Sequence, residues 1–378
     1  MSSDGPEAAD KKLVGPRLYR LLLPAHVLTC EVKLDLILGD TDPALAAFWE
    51  NRCCKRADWN ITCTTRIVVM QLDDNGPSPG PFTADGISPA NRTLQGLVDL
   101  IASHGGPNYT WTTIDPIYAT TGGQPGGNIR NAILYDPEFV HLLPATQGPG
   151  NATDSVEPTL DDGGHMILSH NPGLIDPTSY LWLESRRPLV AHFQHCGTGR
   201  TFVVVVCHLR AKFEGQLYGI RQPPFNGGLR DGPVSRDNLT MAGGRTEQGI
   251  RIRSWVDSVS AVDNAAEIIV AGDMNEFQSV GPLDDDVEGS LTNGPEGLVD
   301  LITTLPAEDR FSYTFQGNSE VLDHVLVRQR SANQTSYEEI HINAFMPHAQ
   351  QASDHDPPIA KIDLSSSSLH VPGACSNL

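Results

Sequence analysis

The chain has 378 residues, 39% of them hydrophobic and 19% charged, enough apolar material for a large buried core and the balance of a soluble globular protein. Its formal net charge of −20 excludes a binder that holds nucleic acid by broad phosphate neutralisation. It leaves open an enzyme that offsets the charge locally with a cation and a few arginines, and no stretch approaches the roughly 20 apolar residues of a membrane span.

In chain order, residues 1–24 read as a disordered leader, polar and acidic from Met1 to Lys12 and without the apolar run of a signal peptide. A single domain is expected over 25–364, with a tail over 365–378. Alternation over His26–Leu38 suggests a first strand, and residues 40–65 show no clean period. Arg66–Leu72 is a short apolar strand that runs into the polar turn Asp73-Asp74-Asn75-Gly76. Leu94, Leu97, Val98 and Ile101 have the spacing of an amphipathic helix, which Gly105-Gly106 stops. Strands follow at Tyr109–Tyr118 and Ile129–Tyr135, and residues 144–180 read as an irregular surface excursion.

A hairpin is expected from Pro188–Gln194 and Arg200–Cys207, then a loop over 213–243. A helix is marked by Ile252, Trp255, Val256 and Val259, and it leads into a buried strand at Glu267–Ala271. Further strands fit Ser312–Gln316, Val321–Val327, Glu338–Phe345 and Ile359–Leu364. Many short strands with few helices imply sheet packed on sheet. The hexapeptide Gly-Leu-Val-Asp-Leu-Ile at 96–101 and 297–302 reads as chance repetition.

Seven cysteines without metal-site spacing allow one or two disulfides, with Cys207 buried and inert at the end of Phe202–Cys207. Sequons at Asn60, Asn91, Asn108, Asn151, Asn238 and Asn333 fit a secretory-pathway protein.

Four strand ends carry the groups of a hydrolytic site. Gly272-Asp273-Met274-Asn275 places an acid and an amide two residues apart, on one face of an extended segment, behind a glycine that would let substrate approach the backbone. Val203–Cys207 delivers His208, with Arg210 and Lys212 beyond it. Leu322-Asp323-His324 puts an acid in an apolar strand. Asp354-His355-Asp356 sets a histidine between carboxylates that can fix its tautomer and raise its basicity, or lend a metal ligand.

These motifs resemble the signatures of the endonuclease/exonuclease/phosphatase superfamily. Gly122-Gly-Gln-Pro-Gly-Gly-Asn-Ile-Arg130, Asn171-Pro-Gly173, Ile175-Asp-Pro177, Ser185-Arg-Arg-Pro188 and Gln222-Pro-Pro224 further resemble its secreted bacterial and fungal nuclease branch. The resemblance runs from about Ile67 to Leu364. It implies an α/β fold, a deoxyribonuclease I-like four-layer sandwich of two mixed β-sheets packed face to face with helices outside. It also implies a metal-dependent phosphodiesterase that cleaves DNA and perhaps RNA.

Carried over by position, His355 activates water and Asp323 orients it. His208 binds phosphate or protonates the leaving oxygen, and Asp273 and Asn275 position nucleophile and phosphate. Arg130, Arg186 and Thr314, with Tyr313 beside it, contact phosphate. Asp354 approaches Mg²⁺, Mn²⁺ or Ca²⁺, the cations that suit oxygen ligands.

One departure concerns the metal. The family's glutamate at the end of an early strand is here replaced by Gln71 or lost in a short deletion, and Asp73 or Asp74 would substitute for it if the strand shifts. The asparagine expected on the first strand is also missing, with Glu31 nearest, so residues 25–65 diverge. A phospholipid or other phosphoester hydrolase on the same fold is one alternative. A relative that binds without catalysing is another.

Overall fold

The computed structural model describes residues 18–24, 30–33, 67–75, 82–103, 106–121, 128–183, 185–211, 241–315, 317–341, 343–346, 353–362 and 364. In chain order the strands are β1 (Leu18–Pro24), β2 (Cys30–Lys33), β3 (Ile67–Leu72), β4 (Thr110–Thr113), β5 (Arg130–Tyr135) and β6 (Val140–Leu142). Next come β7 (Pro158–Leu160), β8 (Met166–Leu168), β9 (Gly173–Leu174), β10 (Leu189–His195), β11 (Thr201–His208) and β12 (Glu267–Asp273). The chain closes with β13 (Leu298–Asp300), β14 (Tyr313–Phe315), β15 (Asn318–Glu320), β16 (Asp323–Arg328), β17 (Thr335–Glu339) and β18 (Pro358–Ile362).

Among the described residues these form two seven-stranded sheets. One has the order β17-β18-β1-β3-β5-β4 with β2 beside β1, and the other β13-β16-β12-β11-β10-β6 with β9 beside β10. Each is mixed: β1 runs parallel to β18 and β11 to β12, while neighbouring pairs such as β3–β5 and β12–β16 are antiparallel.

The apolar alternation decides which face each side chain meets. Phe202, Val204 and Val206 of β11, Ile269 and Ala271 of β12, and Val325 and Val327 of β16 join Val69 and Ile133 of the first sheet in one core. The alternate residues Val203, Val205, Cys207, Ile268, Val270 and Leu326 pack outward against Ile252, Trp255, Val256 and Val259. Those four lie on helix α2 (Met241–Val262). Helix α1 (Asn91–Ser103) buries Leu94, Leu97, Val98 and Ile101, the stripe its sequence predicts. The layers are therefore helix, sheet, sheet, helix.

Several expectations change. Leu18–Pro24 is a strand in the first sheet, so the sheet takes up residues assigned to the leader. Helix α2 starts at Met241, inside the expected loop. The strand expected at Glu338–Phe345 lies earlier, at Thr335–Glu339, because Tyr337 is the residue that turns into the core. Residues 144–180 are not a surface excursion: they hold β7, β8 and β9, and Val156, Leu168 and Ile175 pack under α2. The repeated hexapeptide is helix in α1 but strand β13 followed by a 3₁₀ turn (Leu301–Thr304) at its second occurrence. Tertiary surroundings override so short a signal.

Cys207 is a buried free thiol whose pKa burial pushes up, as its strand position implies. Cys196 is disulfide-bonded. Cys30 lies on β2, and the other cysteines lie outside the described residues.

His192 of β10 is 1% exposed, and neither ring nitrogen has a hydrogen-bond partner among the described residues. Burial lowers its pKa to about 4. A histidine depressed in the folded state stabilises fully above its unfolded pKa, and that contribution is lost as pH falls towards the folded value. Acidification from about pH 6.5 to about pH 4 is expected to cost about 3 kcal/mol through this group alone. Denaturant titration across that range should show a shallower decline for His192→Leu than for the wild type.

Candidate active site

Three adjacent strands end in one row of polar side chains. His208 is the register partner of Asp273, and Asp273 that of Asp323. By alternation each extends the inter-sheet apolar row of its strand, His208 and Asp273 at the end of β11 and β12 and Asp323 at the start of β16. All three therefore turn towards the facing sheet where the core gives out. His355, just before β18, joins this row: its Nδ1 lies 2.5 Å from Asp323 Oδ2. The Nδ1–H donates to the carboxylate, which leaves Nε2 as the basic nitrogen. Asp323 is held in turn by Ser312, whose Oγ donates to Oδ2 at 2.8 Å and accepts from the amides of Leu322 and Asp323. The Tyr313 ring packs on the His355 ring at 4.6 Å. Asp323 and Tyr313 thus fix the imidazole, and Ser312 fixes its carboxylate.

Across the row, Asn275 adopts a left-handed conformation (φ +49°) that turns its side chain back. Its amide nitrogen lies 3.0 Å from Leu209 O, 3.0 Å from Asp273 Oδ2 and 3.1 Å from His208 Nε2. Two amide hydrogens serve three acceptors, so the contact to His208 gives way when that imidazole is protonated. The protonated ring then faces Asp273 Oδ2, 3.6 Å away. The cluster therefore admits either protonation state of His208, as a phosphate donor or leaving-group acid requires.

The end of β3 differs from expectation. Gln71 continues the inter-sheet row of Ile67 and Val69, and its amide donates to Asn131 Oδ1 at 3.2 Å. Asp73 Oδ1 accepts from the amides of Asp74 and Asn128, and Asp74 Oδ2 accepts from Asn128 Nδ2 at 2.9 Å. These carboxylates brace the segment after β3 against the glycine-rich segment before β5. Among the described residues, no three His, Cys, Asp or Glu side chains converge as a metal site. Asp73 and Asp74 are thus engaged by amides of Asp74 and Asn128, and Gln71 by Asn131. Glu31 lies on β2 with its backbone opposite Arg20.

Two residues expected to contact phosphate have different surroundings. The Arg130 guanidinium is buried and donates to Asp115 Oδ1 at 2.5 Å and to the carbonyls of Ser88 and Asn128, so it clamps the fold. Thr314 is exposed on the β14–β15 hairpin, and the hydroxyl that enters the site is that of Ser312. Arg186 is buried just before β10. Arg210 follows His208 and donates to Leu183 O, and Lys212 lies outside the described residues.

Asp354 fits a cation better. Its Oδ1 is buried and without a hydrogen-bond partner among the described residues, one residue from His355. Mg²⁺ characteristically takes one or two carboxylates and completes its shell with water and substrate phosphate. A single orphaned carboxylate oxygen meets the lower limit of that requirement. Asp356 serves the backbone instead, accepting from the amides of Asn343 and Ala344.

Sequence reasoning missed Ser312 and Asn128. Ser312 precedes the noted Tyr313-Thr314, but no local pattern reveals a hydroxyl that meets a carboxylate 11 residues away. Asn128 sits inside the glycine-rich segment, whose motif marked the place without giving its partners.

No protein-family model matches the sequence, and no curated protein matches it. Solved structures similar to it include the human Nocturnin catalytic domain with bound sulfate (11% identity, 71% of this chain and 84% of that one, TM-score 0.38). Truncated Caenorhabditis elegans TDP2 is another (12% identity, 79% and 84%, TM-score 0.41). A third is the Bacteroides thetaiotaomicron mannosyl-6-phosphatase Bt3783 (14% identity, 72% and 82%, TM-score 0.38). Among the described residues the chain is a sandwich of two mixed sheets with helices outside.

Proposed function

We propose that the chain is a phosphoester hydrolase, and more narrowly a divalent-cation-dependent phosphodiesterase acting on nucleic acid. The observation that carries this reading is the Ser312–Asp323–His355 relay in one row with Asp273, His208 and Asn275. His355 Nε2 takes the proton from the attacking water, and Asp323 stabilises the imidazolium that results. Asn275 and His208 offer hydrogens to the phosphoryl oxygens, and protonated His208 gives its proton to the leaving oxygen. Asp354 would hold a Mg²⁺-type cation, which supplies charge neutralisation at the phosphoryl oxygens when bound. Arg186 remains the arginine proposed for phosphate.

The test is hydrolysis of plasmid, single-stranded DNA and a chromogenic phosphodiester with Mg²⁺, Mn²⁺ or Ca²⁺ against EDTA. Cleavage is expected to need the cation, and Asp354→Asn to raise the cation concentration for half-maximal rate. Equal rates in EDTA would remove the metal from the proposal. Failure with every substrate would remove the hydrolase.

Gln71 favours a second reading, a relative that binds phosphoesters without turnover. An amide already bonded to Asn131 is a poor ligand for a hard cation. Under that reading Mg²⁺ leaves the melting temperature unchanged and Gln71→Glu introduces both cation stabilisation and activity.

We also propose an extracytoplasmic location. Cys196 is disulfide-bonded, and the four sequon asparagines among the described residues (Asn91, Asn108, Asn151 and Asn333) are all exposed. Among the described residues no helix is long and apolar enough to cross a membrane.

A further inference from the structure

We infer that Asp300 and His324 are positioning residues of this site, a buried carboxylate and imidazolium that lock the Asp273–Asn275 turn from behind. The inference rests on the hydrolase reading for its kinetic consequence, but its structural content stands apart from it.

Alternation sends the two residues of Asp323-His324 to opposite faces of β16. Asp323 turns to the base, whereas His324 follows Leu326 into the layer beneath α2 and is fully buried. Both its ring nitrogens face acceptors. Nδ1 lies 2.7 Å from Asp300 Oδ2, and Nε2 lies 2.9 Å from the backbone carbonyl of Glu276. A neutral imidazole has one donor and one acceptor, so one of these contacts would set a lone pair against oxygen. Only the doubly protonated ring satisfies both.

The surrounding charges agree. Burial opposes the charge on His324, yet Asp300, the Glu276 carbonyl and Asp323 more than offset it, and the pKa is raised above the ordinary histidine value. The charged groups facing the ring are Asp300 of β13, Asp323 on its own strand, and Glu276 beyond β12. The Glu276 carboxylate is itself matched by Arg245 of α2 at 2.6 Å. Asp300 is anchored, since its Oδ1 accepts from the Ile302 amide.

The carbonyl that His324 grips belongs to the residue after Asn275. The left-handed turn is therefore fixed on both sides, by Asp273 Oδ1 on the Asn275 amide at 2.7 Å and by His324 on the next carbonyl. Loss of the His324 proton removes the second restraint, and the amide that meets His208 loses its fixed place. Because the folded pKa is raised, the pair's contribution is complete below the unfolded value near 6.5 and is lost as pH rises through the folded value.

The experiment is nitrogen-resolved NMR of the histidine side chains and of the Asn275 amide from pH 6 to pH 10, on wild type and Asp300→Asn. The wild type is expected to keep two ring N–H signals from one histidine at pH values where an ordinary histidine has lost one. The Asp300→Asn variant should lose one of them about one to three pH units lower, with the Asn275 amide moving at the same midpoint. His324→Gln assigns the signals; if it does not fold, the Asp300→Asn difference assigns them alone. The alkaline limb of kcat should shift with the NMR midpoint while the acid limb stays. A single N–H on His324 at pH 7 in folded wild type overturns the pair. An Asn275 amide indifferent to the Asp300→Asn midpoint overturns the positioning role. Absence of any hydrolysis overturns the hydrolase reading instead, and the NMR result still decides the pair.

Discussion

Replacing His355 with alanine is expected to lower kcat about 10²–10⁴-fold with little change in KM, the range general-base catalysis supplies. The size follows from how fully the ring is prepared. Its Nδ1 is committed to Asp323 at 2.5 Å, Asp323 is held by Ser312, and Tyr313 packs against the imidazole face. No other described residue stands where His355 Nε2 does in this relay. Asp323→Asn keeps the shape but sets an amide beside Nδ1, so the ring can be left in the wrong tautomer, and a loss of similar order is expected. Ser312→Ala removes one hydrogen bond to the carboxylate and should cost less, about 1 kcal/mol of transition-state stabilisation, or roughly fivefold. Steady-state kinetics on the chromogenic phosphodiester give all three, and added imidazole should partly restore His355→Ala alone. A His355→Ala enzyme within threefold of wild type would end the claim that this ring is the base.

How much of this was legible in the sequence depends on what each residue's role rests on. His208, Asp273 and Asp323 could be found because each extends an apolar alternation, and alternation alone says that a polar residue at the strand's end faces the same way as the core. His355 was visible through its flanking acids, although the acid it uses is Asp323, 32 residues away, and Asp356 turns to the backbone. Arg130 shows what a motif leaves out. A motif gives a residue's place but not its partners, and here the partner is Asp115, just beyond β4. His324 shows the same gap, because the motif Leu322-Asp323-His324 gave it no role and the pleat carries it behind the site. Residues 144–180 failed the periodicity reading because their buried contacts come from single residues between short strands, where no period has room to repeat.

Gly272→Ala is expected to cost more than about 4 kcal/mol and to abolish the ordered site, the largest effect on stability among these substitutions. The sequence suggested that this glycine leaves room for substrate. The structure gives it a different duty: a Cβ built there would lie 1.9 Å from the carbonyl oxygen of Cys207, its partner across the β11–β12 ladder. Its φ of +139° is also one that side chains rarely adopt. The two strands that deliver His208 and Asp273 therefore meet at a residue that must lack a side chain. Both costs act together, and neither can relax without parting the parallel pair that aligns these two groups. Gly148→Ala separates the terms, because Gly148 also has positive φ (+79°) but nothing within 4 Å of a built Cβ. Conformation alone should cost it roughly 1–2 kcal/mol. Denaturant unfolding of the two variants measures the difference. If Gly272→Ala loses no more than Gly148→Ala, the close approach of the strands is not what fixes this glycine, and the reading of substrate access regains its place.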